Sequence, residues 1–131
     1  MQQQQRFRLR DVLGERMMNT GISIRKSAGT WTVRAGGAVL GETSDALELI
    51  EGDYPAVIYF PRKDIAMAFL DPSDKTSHCP RKGDARYFSV VTKSTTLENV
   101  VWSYEEPNEV AEQLRGYLAF HNVDEVTVEQ I

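Results

Sequence analysis

Residues 85–105 read ARYFSVVTKSTTLENVVWSYE and contain the two most convincing strands of the chain. Residues 85–92 and 97–105 are rich in aromatic and β-branched side chains, and the polar stretch KSTT between them has the length of a hairpin loop. Because side chains alternate across a strand, Tyr87 and Phe88 lie on opposite faces, while Trp102 and Tyr104 share one. Apolar groups on both faces predict a central position in a folded sheet.

Short strands separated by turn residues are predicted on both sides of this hairpin. Before it come ISIRK, WTVRA, AVLGET, ALELIE, AVIYF and IAMAFL, with turns that include SAGT, GG, GDYP and DPSD. After it, Pro107 and Asn108 open a predicted helix, although GYLAF could instead begin a strand. The residues on one face of that helix are Val110, Leu114, Tyr117 and Leu118. With VDEVTVEQI as a last strand, the sequence predicts a mainly β fold with one or two short helices.

The length of the chain, 131 residues, is normal for one domain with a hydrophobic core. We expect residues 21–131 to form this single domain. Residues 1–20, which include a run of four glutamines, are predicted to be a tail or a short helix.

The charge, the hydrophobicity and the cysteine content of the chain indicate its partners and its compartment. The net charge is −4, which argues against the basic face that binding to nucleic acid requires. No apolar run approaches the ~20 residues that span a bilayer, and the first ten residues lack the apolar region of a secretory signal. The only cysteine, Cys79, cannot form an intramolecular disulfide, which fits a reducing compartment. We therefore expect a soluble cytoplasmic protein that binds neither nucleic acid nor a membrane.

Neither a metal nor a cofactor is expected. A structural zinc site needs four Cys or His ligands, whereas this chain offers adjacent His78 and Cys79 and a distant His121. If that segment is a strand, the first two side chains point to opposite faces. The glycine spacings that bind phosphate and the G-x-S-x-G pattern of serine hydrolases are both absent from the sequence.

The stretch CPRKG, residues 79–83, is the strongest candidate for a site. Pro80 fixes the backbone angle φ, and Gly83 supplies a left-handed position, so a turn is predicted. The backbone N–H groups of such a turn, together with Lys82 and the neighbouring arginines, could hold an anion. The same cations could lower the pKa of Cys79. The alternative is a purely structural hairpin in which Cys79 is a small buried hydrophobe.

Aromatic side chains form the second part of the candidate site. Tyr59, Tyr87, Trp102 and Tyr104 could line a flat-walled pocket in which the tyrosine hydroxyls serve as polar groups. Aromatic residues in strands more often belong to the core, so both interpretations stay open.

Three motifs of the chain resemble those of the domain-of-unknown-function family 427. They are C-P-x-K-G-x-A-x-Y from Cys79 to Tyr87, W-x-Y-x-x-P from Trp102 to Pro107, and Y-F-P from Tyr59 to Pro61. The resemblance covers roughly residues 22–131. The chain departs from the family pattern at Arg81, where an aromatic residue is common, and at Phe88, where Trp is common.

The resemblance implies a β-tent-like fold, in which two antiparallel sheets meet at an angle and a ligand lies between them. This architecture is similar to that of methionine-R-sulfoxide reductases and the thalidomide-binding domain of cereblon. Many such proteins hold a zinc with two Cys pairs, which this chain cannot do. The family also carries a nucleotidyltransferase-like label, but that reaction needs closely placed carboxylates for Mg²⁺. Asp71 and Asp74 are three residues apart in a predicted turn.

Three functions remain open from the sequence. The leading prediction is a module that binds a small molecule near the CPRKG turn, with Lys82 and the turn taking an anionic or carbonyl group. The alternatives are an enzyme, with Cys79 as nucleophile or redox thiol assisted by Lys82, and a protein-interaction domain with an exposed Trp102. A homodimer is one option for the assembly. The predicted ligand-binding residues are Tyr59, Cys79, Lys82, Gly83, Tyr87, Trp102 and Tyr104.

Overall fold

The predicted hairpin lies at the centre of the fold in the computed structural model, which describes residues 21–131. Strands β7 (Gly83–Val91) and β8 (Thr96–Ser103) pair antiparallel, with Tyr87 opposite Trp102. The backbone N–H of Thr92 donates to the carbonyl of Thr95 at 2.9 Å and closes the turn. The tail or short helix predicted for residues 1–20 lies outside the described residues.

The described residues form three antiparallel sheets, which confirms the mainly β fold. Their orders are β1-β4-β5, β10-β2-β3 and β6-β7-β8-β9, so there are three sheets where the resemblance implied two. The other strands are β1 (Ile22–Lys26), β2 (Trp31–Ala35), β3 (Ala38–Thr43), β4 (Leu47–Glu51), β5 (Val57–Tyr59), β6 (Leu70–Cys79), β9 (Ala119–Phe120) and β10 (Val126–Gln130).

The four-stranded sheet separates two hydrophobic cores. Phe88 and Phe120 point into the first core, and their chain neighbours Tyr87 and Ala119 point into the second. The first core comprises Val33, Ala35, Leu40, Phe60, Ile65, Leu70, Phe88, Val90, Leu97, Val100, Val101, Leu118, Phe120 and Val126. The second core comprises Leu49, Tyr59, Ala85, Tyr87, Tyr104, Ala111, Leu114 and Ala119. Both faces of the β7–β8 hairpin are therefore buried, as its sequence predicts.

The two smaller sheets cover opposite faces of the four-stranded sheet. Sheet β10-β2-β3 contributes Val33 and Leu40 to the first core. Sheet β1-β4-β5 contributes Leu49 and Tyr59 to the second core.

The prediction of a strand for IAMAFL was wrong. The chain forms 3₁₀ turns at Arg62–Asp64 and Met67–Phe69, and Ile65 makes an isolated bridge to Gly41. A Cβ at Gly41 would lie 2.5 Å from the carbonyl oxygen of Asp64, so glycine permits this close crossing. The turn predicted at DPSD is replaced by an irregularity inside β6, where the register with β7 shifts between Pro72 and Thr76.

The predicted helix after Pro107 is shorter than its apolar pattern indicated. A 3₁₀ segment, Glu109–Leu114, is interrupted at Ala111, where the angles φ −115° and ψ 19° are not helical. Tyr117 therefore lies outside it, and the alternative of a strand in GYLAF is confirmed by β9. The final strand, β10, is also confirmed, paired with β2.

Candidate functional site

The CPRKG stretch forms the turn between β6 and β7, as predicted. Gly83 has φ 109°, a backbone conformation that side chains disfavour. A Cβ at this position would also lie 3.2 Å from the backbone nitrogen of Asn108. Gly83 therefore acts through its backbone, by bringing the turn against the segment that follows β8.

Asn108 fixes the conformation of this turn. Its side-chain amide donates to the carbonyl oxygens of Pro80 at 3.2 Å and Arg81 at 3.1 Å. Its backbone N–H donates to the carbonyl oxygen of Lys82 at 2.9 Å. Sequence reasoning missed this role, although Asn108 directly follows the W-x-Y-x-x-P motif.

The sulfur of Cys79 lies inside the turn. The backbone N–H of Lys82 donates to Sγ at 3.4 Å, so this amide faces the sulfur. Burial raises the pKa of Cys79, but the backbone N–H groups of Lys82 and Arg81 and the charge of Lys82 outweigh it and hold the pKa below its usual value. The turn thus favours the thiolate form of Cys79.

Lys82 is a buried cation with a carboxylate partner. Its residue is 8% exposed, and its Nζ donates to Oε1 of Glu51 at 2.9 Å. Arg81 pairs with the second oxygen of the same carboxylate. The Lys82 ammonium also lies 6.0 Å from the ring centroid of Tyr104. Glu51 ends β4, far from the turn in sequence, and no local pattern in ALELIE marks it as the partner.

Tyr59 and Tyr104 are buried phenols of the second core. Burial raises the pKa of Tyr59 to about 12 and raises that of Tyr104 further, so both hydroxyls stay protonated at neutral pH. The Tyr59 hydroxyl accepts a hydrogen bond from Nε1 of Trp102 at 3.2 Å. Tyr104 is 6% exposed as a residue, and its hydroxyl makes no hydrogen bond within residues 21–131. It is not among the fully buried atoms that lack a partner there, so solvent or a ligand can reach it. The ring that carries this unused donor has its centroid 6.0 Å from the Lys82 ammonium.

Tyr87 makes contacts through both its hydroxyl and its ring. The hydroxyl lies 3.1 Å from Oγ of Ser77. The ring stacks on His121 with centroids 6.0 Å apart, and Lys75 Nζ lies 4.7 Å from its centroid. His121 also lies 4.6 Å from Trp102, measured between ring centroids. Burial, and then the charge of Lys75, lower the pKa of His121, which favours the neutral imidazole. From the sequence, His121 was considered only as a metal ligand, and no local pattern indicates its contacts with Tyr87 and Trp102.

Trp102 also lines a cleft of about 610 Å³. Of the predicted ligand-binding residues, Trp102 lines this cleft, together with His121. Its full lining is Trp31, Glu48, Tyr54, Pro55, Ala56, Val57, Ile58, Trp102, Phe120, His121, Asn122, Val126 and Val128. Trp102 therefore connects the tyrosines of the second core with an open cleft.

Within residues 21–131, no group of three or more His, Cys, Asp or Glu side chains is placed to hold a metal. His78 pairs instead with Asp84, its Nδ1 lying 2.7 Å from Oδ1. In the same part of the chain, no helix has the length and apolar character needed to cross a membrane.

The family model described as a domain of unknown function (DUF427) matches residues 23–129. The chain belongs to the DUF427 family. The label of that model abbreviates nucleotidyltransferase, as the sequence resemblance led us to expect. No curated protein matches the chain significantly.

The three motifs of this DUF427 domain meet around the second core. Tyr59 comes from Y-F-P, Tyr87 from the pattern that begins with Cys79, and Tyr104 from W-x-Y-x-x-P, and all three are members of that core. Lys82 approaches Tyr104 from the turn, and Trp102 reaches Tyr59 through its indole N–H. Six of the seven predicted residues thus contribute side chains to one neighbourhood, and Gly83 shapes its turn.

Proposed function

We propose that this DUF427 domain binds a small molecule beside the CPRKG turn, and that the ligand presents a carboxylate or carbonyl oxygen. The observation that carries the proposal is the Tyr104 hydroxyl. It has no hydrogen-bond partner within residues 21–131, is not fully buried although its residue is only 6% exposed, and lies on a ring 6.0 Å from the Lys82 ammonium.

The energetics support an acceptor as the missing partner. A hydrogen bond made within a protein contributes about 0.5–1.5 kcal/mol net, so an unpartnered donor that a ligand can reach is a source of binding free energy. The high pKa of Tyr104 keeps its hydroxyl protonated and able to donate a hydrogen bond. Lys82 has three N–H donors, and its bond to Glu51 leaves capacity for a further acceptor. An oxygen of the ligand that reached both groups would satisfy both.

The local charge supports the same class of ligand. Arg81 and Lys82 both pair with the carboxylate of Glu51, so the turn places two cations at one carboxylate. Asn108 holds the carbonyl oxygens of the turn and thereby fixes the position from which Lys82 extends. A preformed cationic site loses little entropy when it binds an anion or a carbonyl group.

Thermal unfolding with added organic acids, amides and nucleotides tests the proposal. We expect at least one acid or amide to raise the Tm of the wild-type domain by several degrees, and to raise that of Lys82→Met much less. Cys79→Ser serves as the matched control, because it alters the same turn but should retain the stabilisation. No stabilisation of the wild type across the whole panel would contradict the proposal.

A second candidate function is catalysis by Cys79, which the contact between the Lys82 amide and Sγ favours. The lowered pKa of this thiol would raise its thiolate fraction, and the thiolate is the nucleophilic form. A redox cycle would need a resolving thiol from another molecule, because the chain contains one cysteine. In this case Cys79→Ser would abolish turnover of an electrophilic substrate while leaving the Tm unchanged. Retained turnover in that variant would exclude the role.

A further inference from the structure

Several aromatic residues line the cleft next to Trp102. Trp31 and Trp102 both line it. The indole N–H of Trp31 donates to Oγ of Ser27 at 2.9 Å, and that of Trp102 donates to the hydroxyl of Tyr59 at 3.2 Å. Because both N–H groups are engaged within the protein, the indoles present ring carbon atoms and no free N–H donor to the cleft. Ring faces carry negative electrostatic potential.

The formal charge in the cleft is negative, which is also the sign of the electrostatic potential at an aromatic ring face. Among its lining residues, Glu48 is the only one with a formal charge when His121 is neutral. The lowered pKa of His121, which follows from burial and the charge of Lys75, favours that neutral form. Glu48 pairs with Arg25 at 3.6 Å, and the arginine side chain is 65% exposed. Such a loose, solvated ion pair contributes little and can be displaced.

We propose that this cleft is a second ligand site and that it binds a compact organic cation, such as a substituted ammonium group. The cation would lie against the indole faces of Trp31 and Trp102, with Glu48 as counter-charge. An anion would meet both a carboxylate and ring faces, which repel it. A neutral hydrocarbon would gain apolar contacts but nothing from Glu48.

This proposal is separate from the function proposed above. It concerns a different cavity and the opposite sign of ligand charge, and Lys82, Cys79 and Tyr104 do not line the cleft. Its volume, about 610 Å³, lies within the usual range of small-molecule sites. Trp102 is common to both regions, and its N–H bond to Tyr59 fixes the indole in one orientation.

The test compares choline with 3,3-dimethyl-1-butanol, a neutral molecule of the same shape in which carbon replaces nitrogen. Binding is followed by tryptophan fluorescence and by calorimetry. We expect choline to bind about tenfold more tightly than the neutral analogue. Equal affinity for the two compounds, or no binding of choline, would overturn the proposal.

Four variants sharpen the test. Glu48→Gln removes the counter-charge and should reduce the preference for choline severalfold, whereas Arg25→Gln removes the competing cation and should increase it. Trp31→Leu should weaken choline binding while retaining apolar volume. Tyr104→Phe, in the other site, should leave choline affinity unchanged. If Glu48→Gln and Arg25→Gln both leave the preference for choline unchanged, the assigned counter-charge is wrong and the proposal fails.

Discussion

The two faces of the four-stranded sheet are packed by chemically different cores. The first core consists entirely of hydrocarbon side chains, such as Phe60, Phe88 and Val101. The second core contains three tyrosines, and a buried lysine lies at its edge. Adjacent residues belong to different cores, as Tyr59 and Phe60 do on one segment and Tyr87 and Phe88 on another. The same strands therefore support two different surfaces.

The two cores differ in what burial requires of their side chains. Hydrocarbon packing supplies folding free energy without any requirement for hydrogen bonds. Phenol and ammonium groups lose their hydration on burial. Only a hydrogen-bond or ionic partner in the protein compensates for the free energy that this costs. The Tyr104 hydroxyl has no hydrogen-bond partner within residues 21–131 and is not fully buried, so its remaining partner is solvent or a ligand. Phenylalanine would fill the same space without a hydroxyl, so the presence of the hydroxyl is consistent with the proposed role in ligand binding.

The largest effect is expected in the first core. Phe60→Ala should lower the free energy of unfolding by about 3–5 kcal/mol, because a fully buried ring is replaced by a cavity. Urea denaturation measures this change. A loss below about 1 kcal/mol would show that the first core is not the main source of stability.

The next effect concerns the ion pairs at the edge of the second core. Glu51→Gln should lower the free energy of unfolding by about 1–3 kcal/mol, because it leaves the buried Lys82 ammonium without a counter-charge. Lys82→Met should cost less, since Glu51 then retains Arg81. Urea denaturation of both variants shows which of them loses more free energy of unfolding. A greater loss in Lys82→Met would contradict this account of the pairing.

The pH dependence of Cys79 alkylation tests the turn. The thiolate is the reactive form, and the lowered pKa should place the midpoint of the rate profile in the folded protein below that in urea. Lys82→Met removes the cation and should raise the midpoint, while the backbone N–H groups remain. Iodoacetamide labelling followed by mass spectrometry gives the profiles. Coincident profiles for folded and unfolded protein would contradict the turn electrostatics.

The smallest effect is expected from His121. Its pKa in the folded protein is lowered from 6.5, so folding favours the neutral ring. Its contribution to stability is complete above about pH 6.5 and is lost as the pH falls through the folded-state pKa. The Tm of the wild type should therefore fall more steeply below pH 6.5 than that of His121→Gln. If scanning calorimetry gives parallel curves of Tm against pH for the two proteins, the titration of His121 does not contribute to stability.

Local sequence predicted most of the strands and the turn of the site. Alternating side chains and turn residues are local signals, and they identified the β7–β8 hairpin and the CPRKG turn. IAMAFL had no such alternation, and its path depends on a close approach to Gly41 that only the tertiary structure reveals. The helix after Pro107 is too short for its periodicity to be decisive.

The partners of the site residues were not predictable in the same way. Glu51 and Asn108 reach the turn from 31 and 27 positions away in the chain, so neither leaves a local signal. His121 contacts Tyr87 and Trp102 from the end of β9. The family motifs identified the tyrosines and Lys82, whereas the groups that hold and neutralise them depend on how the sheets pack.

The most direct test of this account is the free energy of unfolding of Tyr104→Phe, measured beside Tyr87→Phe by urea denaturation. The Tyr87 hydroxyl is bonded to Ser77, so its removal should cost about 0.5–1.5 kcal/mol. The Tyr104 hydroxyl is unpartnered within residues 21–131, so its removal should leave stability unchanged or increase it. That result would mark the hydroxyl as a group retained for a ligand. An equal loss in both variants would assign Tyr104 a structural role and contradict our central claim.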